Sequence, residues 1–179
     1  METMKKSWKP RKGFTAREWG KNLFLFSFAD TRDRDWVLKN QPWHFEGFLF
    51  AIKPISGTEQ PSTLNITESS FWIRVYDLPV ACMNEKTIQL IAKQVGSFEA
   101  WDPSPDSLFG KSARCKVAID ITKPLVRGIT IKLKGESLWI PLKYEGLPVY
   151  CYGCGLIGHH YRACDNYDSN DAPDPSDTK

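Results

Sequence analysis

Cys151, Cys154, His159 and Cys164 stand in the spacing C-x2-C-x4-H-x4-C, and this short stretch constrains the chain more than any other. Zinc favours four soft or borderline donors in a tetrahedron. Two cysteines separated by two residues can reach one ion from a single tight turn. Gly155 follows the second cysteine, where positive φ is often needed, and Gly158 lets the backbone bend so that His159 swings inward. A segment this short buries no core of its own, so the metal must supply its folding free energy, about 10–16 kcal/mol for structural zinc sites. His160 competes with His159 but shifts the spacing by one and ranks second. Four protein donors close the shell and leave no position for water or substrate. The expected cofactor is therefore one structural zinc ion.

Cysteine usage agrees with this. The chain has 5 cysteines in 179 residues, and the two outside the cluster, Cys82 and Cys115, read as small core residues. Cations crowd the start (Lys5, Lys6, Lys9, Arg11, Lys12, Arg17, Lys21), and aspartates crowd the end, from Asp165 to Asp177. A basic start and an acidic end read as a polyanion-attracting region followed by a solvated tail, with the alternative that both ends are simply soluble and mobile. No apolar run approaches a membrane span, and the lysine-rich start lacks the apolar stretch of a signal peptide. The expectation is a soluble intracellular protein with no membrane partner, with nucleus and cytoplasm both open.

Hydrophobic patterning gives the elements. Met1 to Lys9 reads as a helix or a fraying arm. Phe14 to Trp19 and Leu23 to Phe28 read as strands, and Thr31 as the cap of a helix to Asn40. Phe48 to Ile55 reads as a strand entered through Glu46-Gly47, Ser56 to Ser70 as a linker, and Phe71 to Val75 as a strand. Asn84 caps a helix to Val95 whose buried face is Ile88, Ile91, Ala92 and Val95, with Gly96 as a left-handed cap. Asp102 to Gly110 reads as a loop. Ala113 to Ile121 alternates, and Ile129 to Leu133 with Leu138 to Tyr144 make a hairpin around Gly135-Glu136. The resulting organisation is a basic segment over 1–20, an α+β domain over 14–148, a knuckle over 149–165 and a disordered acidic tail over 166–179.

With three thiolates, the zinc site carries about one negative charge and does not attract phosphate itself. Nucleic-acid affinity must come from flanking cations and stacking rings. The candidates are Tyr152, Tyr161, Arg162 and Lys143, with the alternative that both tyrosines only cover the small metal core. Asp102, Asp106, Asp120 and Glu145 form no acid–base pair or nucleophile constellation, so an enzyme is not expected.

The knuckle resembles the CCHC type of retroviral nucleocapsids and many RNA-binding proteins. The run Trp139 to Pro148 leading into Cys151 is more specific. So are Asn22 to Phe28 followed by Gln41-Pro42-Trp43, and Phe71 to Pro79. Together they resemble a large plant family derived from LINE-type retrotransposons that joins a domain of unknown function to a CCHC zinc knuckle. The resemblance implies zinc binding and binding of single-stranded RNA or DNA with low sequence specificity. It also implies an RRM-like (ferredoxin-like) antiparallel sheet with helices, followed by a β-rich segment. Phe14 to Trp19, Leu23 to Phe28, the helix after Thr31 and Phe48 to Ile55 would be its second strand, third strand, second helix and fourth strand. The first strand is missing, and Phe71 to Val75 is a candidate to fill the gap. RRMs stack bases on the third strand's exposed face. Alternation puts Phe24, Phe26 and Phe28 together as core and leaves Leu23 and Leu25 outside, a poor platform. Leu156-Ile157, where retroviral knuckles often carry a charge, suits packing against a neighbouring domain. That pair and the acidic tail keep open a protein-interaction module in which the knuckle is only a staple. A decayed element fragment without selected function also stays open.

Overall fold

The computed structural model describes residues 2–165 of the chain, so the acidic tail expected over 166–179 lies outside the described residues. The fold is mixed α+β with antiparallel sheets. It divides into two compact units, one formed by Met1–Trp43 and Ala51–Ile66, the other by His44–Phe50 and the chain from Thr67 onward. Among the described residues no helix is long and apolar enough to cross a membrane.

The first unit is organised by an indole. Helix α1 (Glu2–Trp8) ends in Trp8, 2% exposed. Around it lie the rings of Phe14, Phe26, Phe28 and Trp43, with centroids 5.1, 5.0, 5.8 and 6.1 Å away. Such clusters bury large apolar area in few residues. Strands β1 (Phe14–Gly20) and β2 (Leu23–Phe28) pair as an antiparallel hairpin, Phe14 opposite Phe28. Of the β2 phenylalanines, Phe26 and Phe28 reach Trp8. Phe24, expected in the core, sits at the turn end of the hairpin and is 47% exposed, while Leu23 and Leu25 are half-buried. Helix α2 (Thr31–Lys39) is capped by Asp30 rather than Thr31, because the Asp30 carboxylate accepts the Arg32 N–H at 2.9 Å.

The expected fourth strand is shorter and pairs elsewhere. Glu46 and Gly47 both take positive φ (51° and 83°) and make a tight turn. That turn folds β4 (Phe48–Phe50) back onto β3 (Trp43–Phe45) as a separate two-stranded sheet. Phe71 to Val75 fills no gap beside β1 and β2. It belongs to β5 (Glu68–Tyr76), the middle strand of a five-stranded sheet in the second unit. Its alternate residues Phe71, Ile73 and Val75 are at most 1% exposed, and that apolar face is satisfied only in the centre of a core.

That sheet has the order β6-β7-β5-β9-β8, with β6 Ser97–Trp101, β7 Ser112–Asp120, β8 Gly128–Leu133 and β9 Glu136–Tyr144. All its pairings are antiparallel. Asn84 caps α3 (Glu85–Val95) by accepting the Thr87 N–H at 3.1 Å, and Ile88, Ile91 and Ala92 bury against one face of the sheet. The same core takes Cys115, Val117 and Ile119 of β7 and Ile140 and Leu142 of β9. Burial pushes the Cys115 thiol up to about 12, so this cysteine is an inert core residue.

A helix and a strand of this unit were also not expected. Pro105 opens a short helix α4 (Pro105–Phe109) inside the expected loop, and β6 follows α3 directly. Register shifts between Phe98 and Ala100 in β6, so Phe98 and Trp101 both reach the core and the period-2 signal disappears. Gly96 is not a left-handed cap. Its φ of 174° is ordinary extended backbone, and glycine is required because a Cβ there would lie 2.2 Å from the Ala118 carbonyl oxygen.

Candidate metal centre and knuckle surface

The segment from Tyr150 to Cys164 is built around Cys151, which is fully buried. The Gly155 N–H donates to the Cys151 carbonyl at 2.8 Å, and the Cys151 N–H donates to the Leu156 carbonyl at 2.9 Å. This closes the loop between the first two cysteines. Gly155 has φ +79°, and a Cβ there would also lie 3.1 Å from Pro124 Cβ, so both conformation and space select glycine. Gly158, at φ +108°, turns the chain back toward His159.

The turn brings one donor atom from each of Cys151, Cys154, His159 and Cys164 within 4.8 Å of one another. Cys154 Sγ and His159 Nε2 are 3.4 Å apart. Zinc–sulfur bonds of about 2.3 Å at tetrahedral angles place donors about 3.5–3.8 Å apart, so a small contraction around an ion satisfies all four. His159 is half-buried and belongs to the cluster, whereas His160 is exposed and outside it. Burial opposes ionisation of the Cys151 thiol. The N–H groups of Cys154 and Gly153, with the Cys154 and Cys164 thiols, nevertheless hold its pKa below the ordinary thiol value. That is the direction a metal-binding thiolate requires. The donor set of three sulfurs and one imidazole fits zinc, and these four residues would hold it.

The knuckle is docked within its unit. Tyr150 and Ile157 form an antiparallel bridge, and Gly155 accepts the Leu125 N–H at 2.8 Å. Tyr150 is buried in the sheet's core, with Tyr152 and Ile157 packed against it. Tyr152 stands edge-on to Tyr150 at 5.0 Å and is half-buried. Tyr161, half-buried, and Arg162, exposed, lie on a short 3-10 turn (Tyr161–Ala163). The Arg162 Nε donates to the Tyr161 hydroxyl at 3.2 Å. Lys143 is elsewhere. It is exposed on β9 among the residues facing away from the core, over the ring of Tyr76 at 5.7 Å.

A second polar group surrounds Arg114, whose guanidinium lies 3.8 Å from the Trp72 ring centroid. It donates to Glu145 at 2.8 and 3.0 Å and to Asp102 at 3.3 Å, and Glu145 also accepts from Arg74 at 2.7 Å. The hydrogen bond from Arg114 holds the Glu145 carboxyl below its usual range, with Arg74 adding to the effect.

Fold and site together define a two-unit chain that ends its described part in a Cys3His metal-binding knuckle. The comparisons agree: residues 119–166 match the family described as "Zinc knuckle", and residues 1–63 match "Domain of unknown function (DUF4283)". The first match begins well before Cys151 and includes β8 and β9, part of the sheet on which the knuckle is docked. No curated protein and no solved structure gave a match.

Proposed function

We propose that this chain is a zinc-dependent, non-catalytic binder of single-stranded RNA or DNA with low sequence specificity. The observation that carries the reading is the four-donor cluster, with half-buried Tyr161 and exposed Arg162 on the turn between its last two donors. Zinc would fix the turn that presents them, and the nearby ring and guanidinium supply stacking and phosphate contact. The pairing of the two matched regions also suits a retrotransposon-derived protein, as the sequence resemblance implied. The β1–β2 hairpin followed by α2 suits the RRM-like reading of the first unit. The test is fluorescence anisotropy with single-stranded RNA and DNA, with zinc and with chelator. Binding should weaken steeply with salt, because phosphate contacts release counterions. It should be lost on chelation or in Cys154→Ser. Zinc-loaded protein that binds neither oligonucleotide removes the proposal.

The docking of Tyr152 and Ile157 on the core favours a second reading, in which the knuckle is a staple and the unit engages a protein. A partner captured after nuclease treatment, with no oligonucleotide binding, would select it.

A further inference from the structure

The five-stranded sheet has two faces, and the knuckle and α3 use only one of them. On the other face, the outward positions of β9 include Trp139 and Lys143. Arg74 lies directly opposite Lys143 on β5, and Lys132 points outward from β8. Trp139 is 57% exposed, unusual for so large a ring. It is also held in place: a Cβ on Gly128 would lie 2.2 Å from its Cζ2, so the indole lies close against the Gly128 backbone. Glu145 and Asp102 together balance Arg74 and Arg114, and Lys143 and Lys132 add positive charge to this face. Glu68 and Asp120 sit opposite each other at the far end of the β5–β7 pair, which places carboxylates there, Asp120 being paired with Lys123 at 2.8 Å.

A positioned, exposed aromatic ring among cations on a flat sheet is the chemistry that stacks a base and tracks a phosphate backbone. Resting on the nucleic-acid reading above, we propose that this face is a second contact surface for single-stranded nucleic acid, with Trp139 stacking a base and Lys132, Lys143 and Arg74 facing phosphates. The strand lies toward the β8–β9 margin and avoids the Glu68–Asp120 end. Lys143 then acts here and not beside the metal.

The test uses the full zinc-loaded chain with fluorescein-labelled oligo(U) and oligo(dT), comparing wild type with Trp139→Leu, Trp139→Phe, Lys132→Glu/Lys143→Glu and Cys154→Ser. Trp139→Leu should weaken binding about tenfold while Trp139→Phe retains most of it. The double charge reversal should flatten the salt dependence by more than one phosphate equivalent. Bound zinc and the urea midpoint should not move in these surface variants. Should Trp139→Leu misfold, the charge reversal and Gly128→Ala, which displaces the indole, decide the matter. Wild-type affinity in the sheet variants, with binding lost in Cys154→Ser, overturns this inference and leaves the knuckle as the sole surface. Wild type that binds neither oligonucleotide overturns the functional reading and this surface with it. Nuclease-resistant capture of a protein that depends on Trp139, with oligonucleotide affinity unchanged, also overturns it.

Discussion

Removing the metal should melt the knuckle and leave the sheet folded. Ordering residues 151–164 costs about 1.5 kcal/mol each, about 20 kcal/mol in all. The protein's own contributions are small. Six backbone hydrogen bonds, donated by Leu125, Cys151, Gly155, Gly158, Ala163 and Cys164, return about 1 kcal/mol each. Half-burial of Tyr152 and Ile157 adds about 3 kcal/mol. The shortfall of over 10 kcal/mol falls within the 10–16 kcal/mol that structural zinc supplies. The sheet has a core of its own: Phe71, Ile73, Val75, Ile88 and Ile140, all outside the knuckle, are at most 1% exposed. Hydrogen exchange read by mass spectrometry, before and after chelation with zinc loss verified by elemental analysis, should show protection vanishing over 151–164 and persisting in β5, β7 and β9. Retained protection over 151–164 in metal-free protein would refute this accounting.

Three further outcomes follow from the fold. Gly96→Ala should lower the urea-derived stability by about 1–3 kcal/mol, and Gly96→Asn should be no milder, since the obstacle is the Ala118 carbonyl rather than a left-handed backbone; rescue by asparagine would contradict this. Ile88→Ala should cost about 2–5 kcal/mol in the same assay, because its side chain is fully enclosed between α3 and the sheet. Glu145, held below its ordinary pKa by Arg114 and Arg74, stabilises the fold above the usual carboxylate range. That contribution fades as pH falls through this range toward the lowered folded value. Glu145→Gln should therefore flatten the acid limb of urea midpoints measured between about pH 3 and 7, and an unchanged limb would show that the network is not coupled to folding.

The metal centre was legible because its information is local: ligand spacing and two glycines determine the turn before any tertiary contact forms. Helix α3 was legible for the same reason, with Asn84 and the Ile88, Ile91, Ala92 spacing in one short window. Elements that depend on distant partners were less so. Trp8 lies in a lysine-rich stretch that reads as a helix or a fraying arm, and only the convergence of Phe14, Phe26, Phe28 and Trp43 makes it a core residue. Strand β6 is hidden by its irregular register after Phe98. Gly96 looks like a helix cap in sequence, while its actual constraint comes from Ala118 across the sheet. Proximity in sequence also placed Lys143 beside the knuckle, although strand alternation turns it to the other side. The signal for Trp139 was present: it falls on the polar side of β9, out of phase with Leu138, Ile140 and Leu142.

The margins of the five-stranded sheet bear on how copies of this chain behave when concentrated. On one side β6 is short, loses register and runs into Pro103. On the other β8 carries Lys132 and is followed by Lys134. A guest strand needs a straight, uncharged margin to zip onto, and neither side offers one. Edge-to-edge growth into ribbons is thereby discouraged, and whatever engages this sheet must land flat upon it.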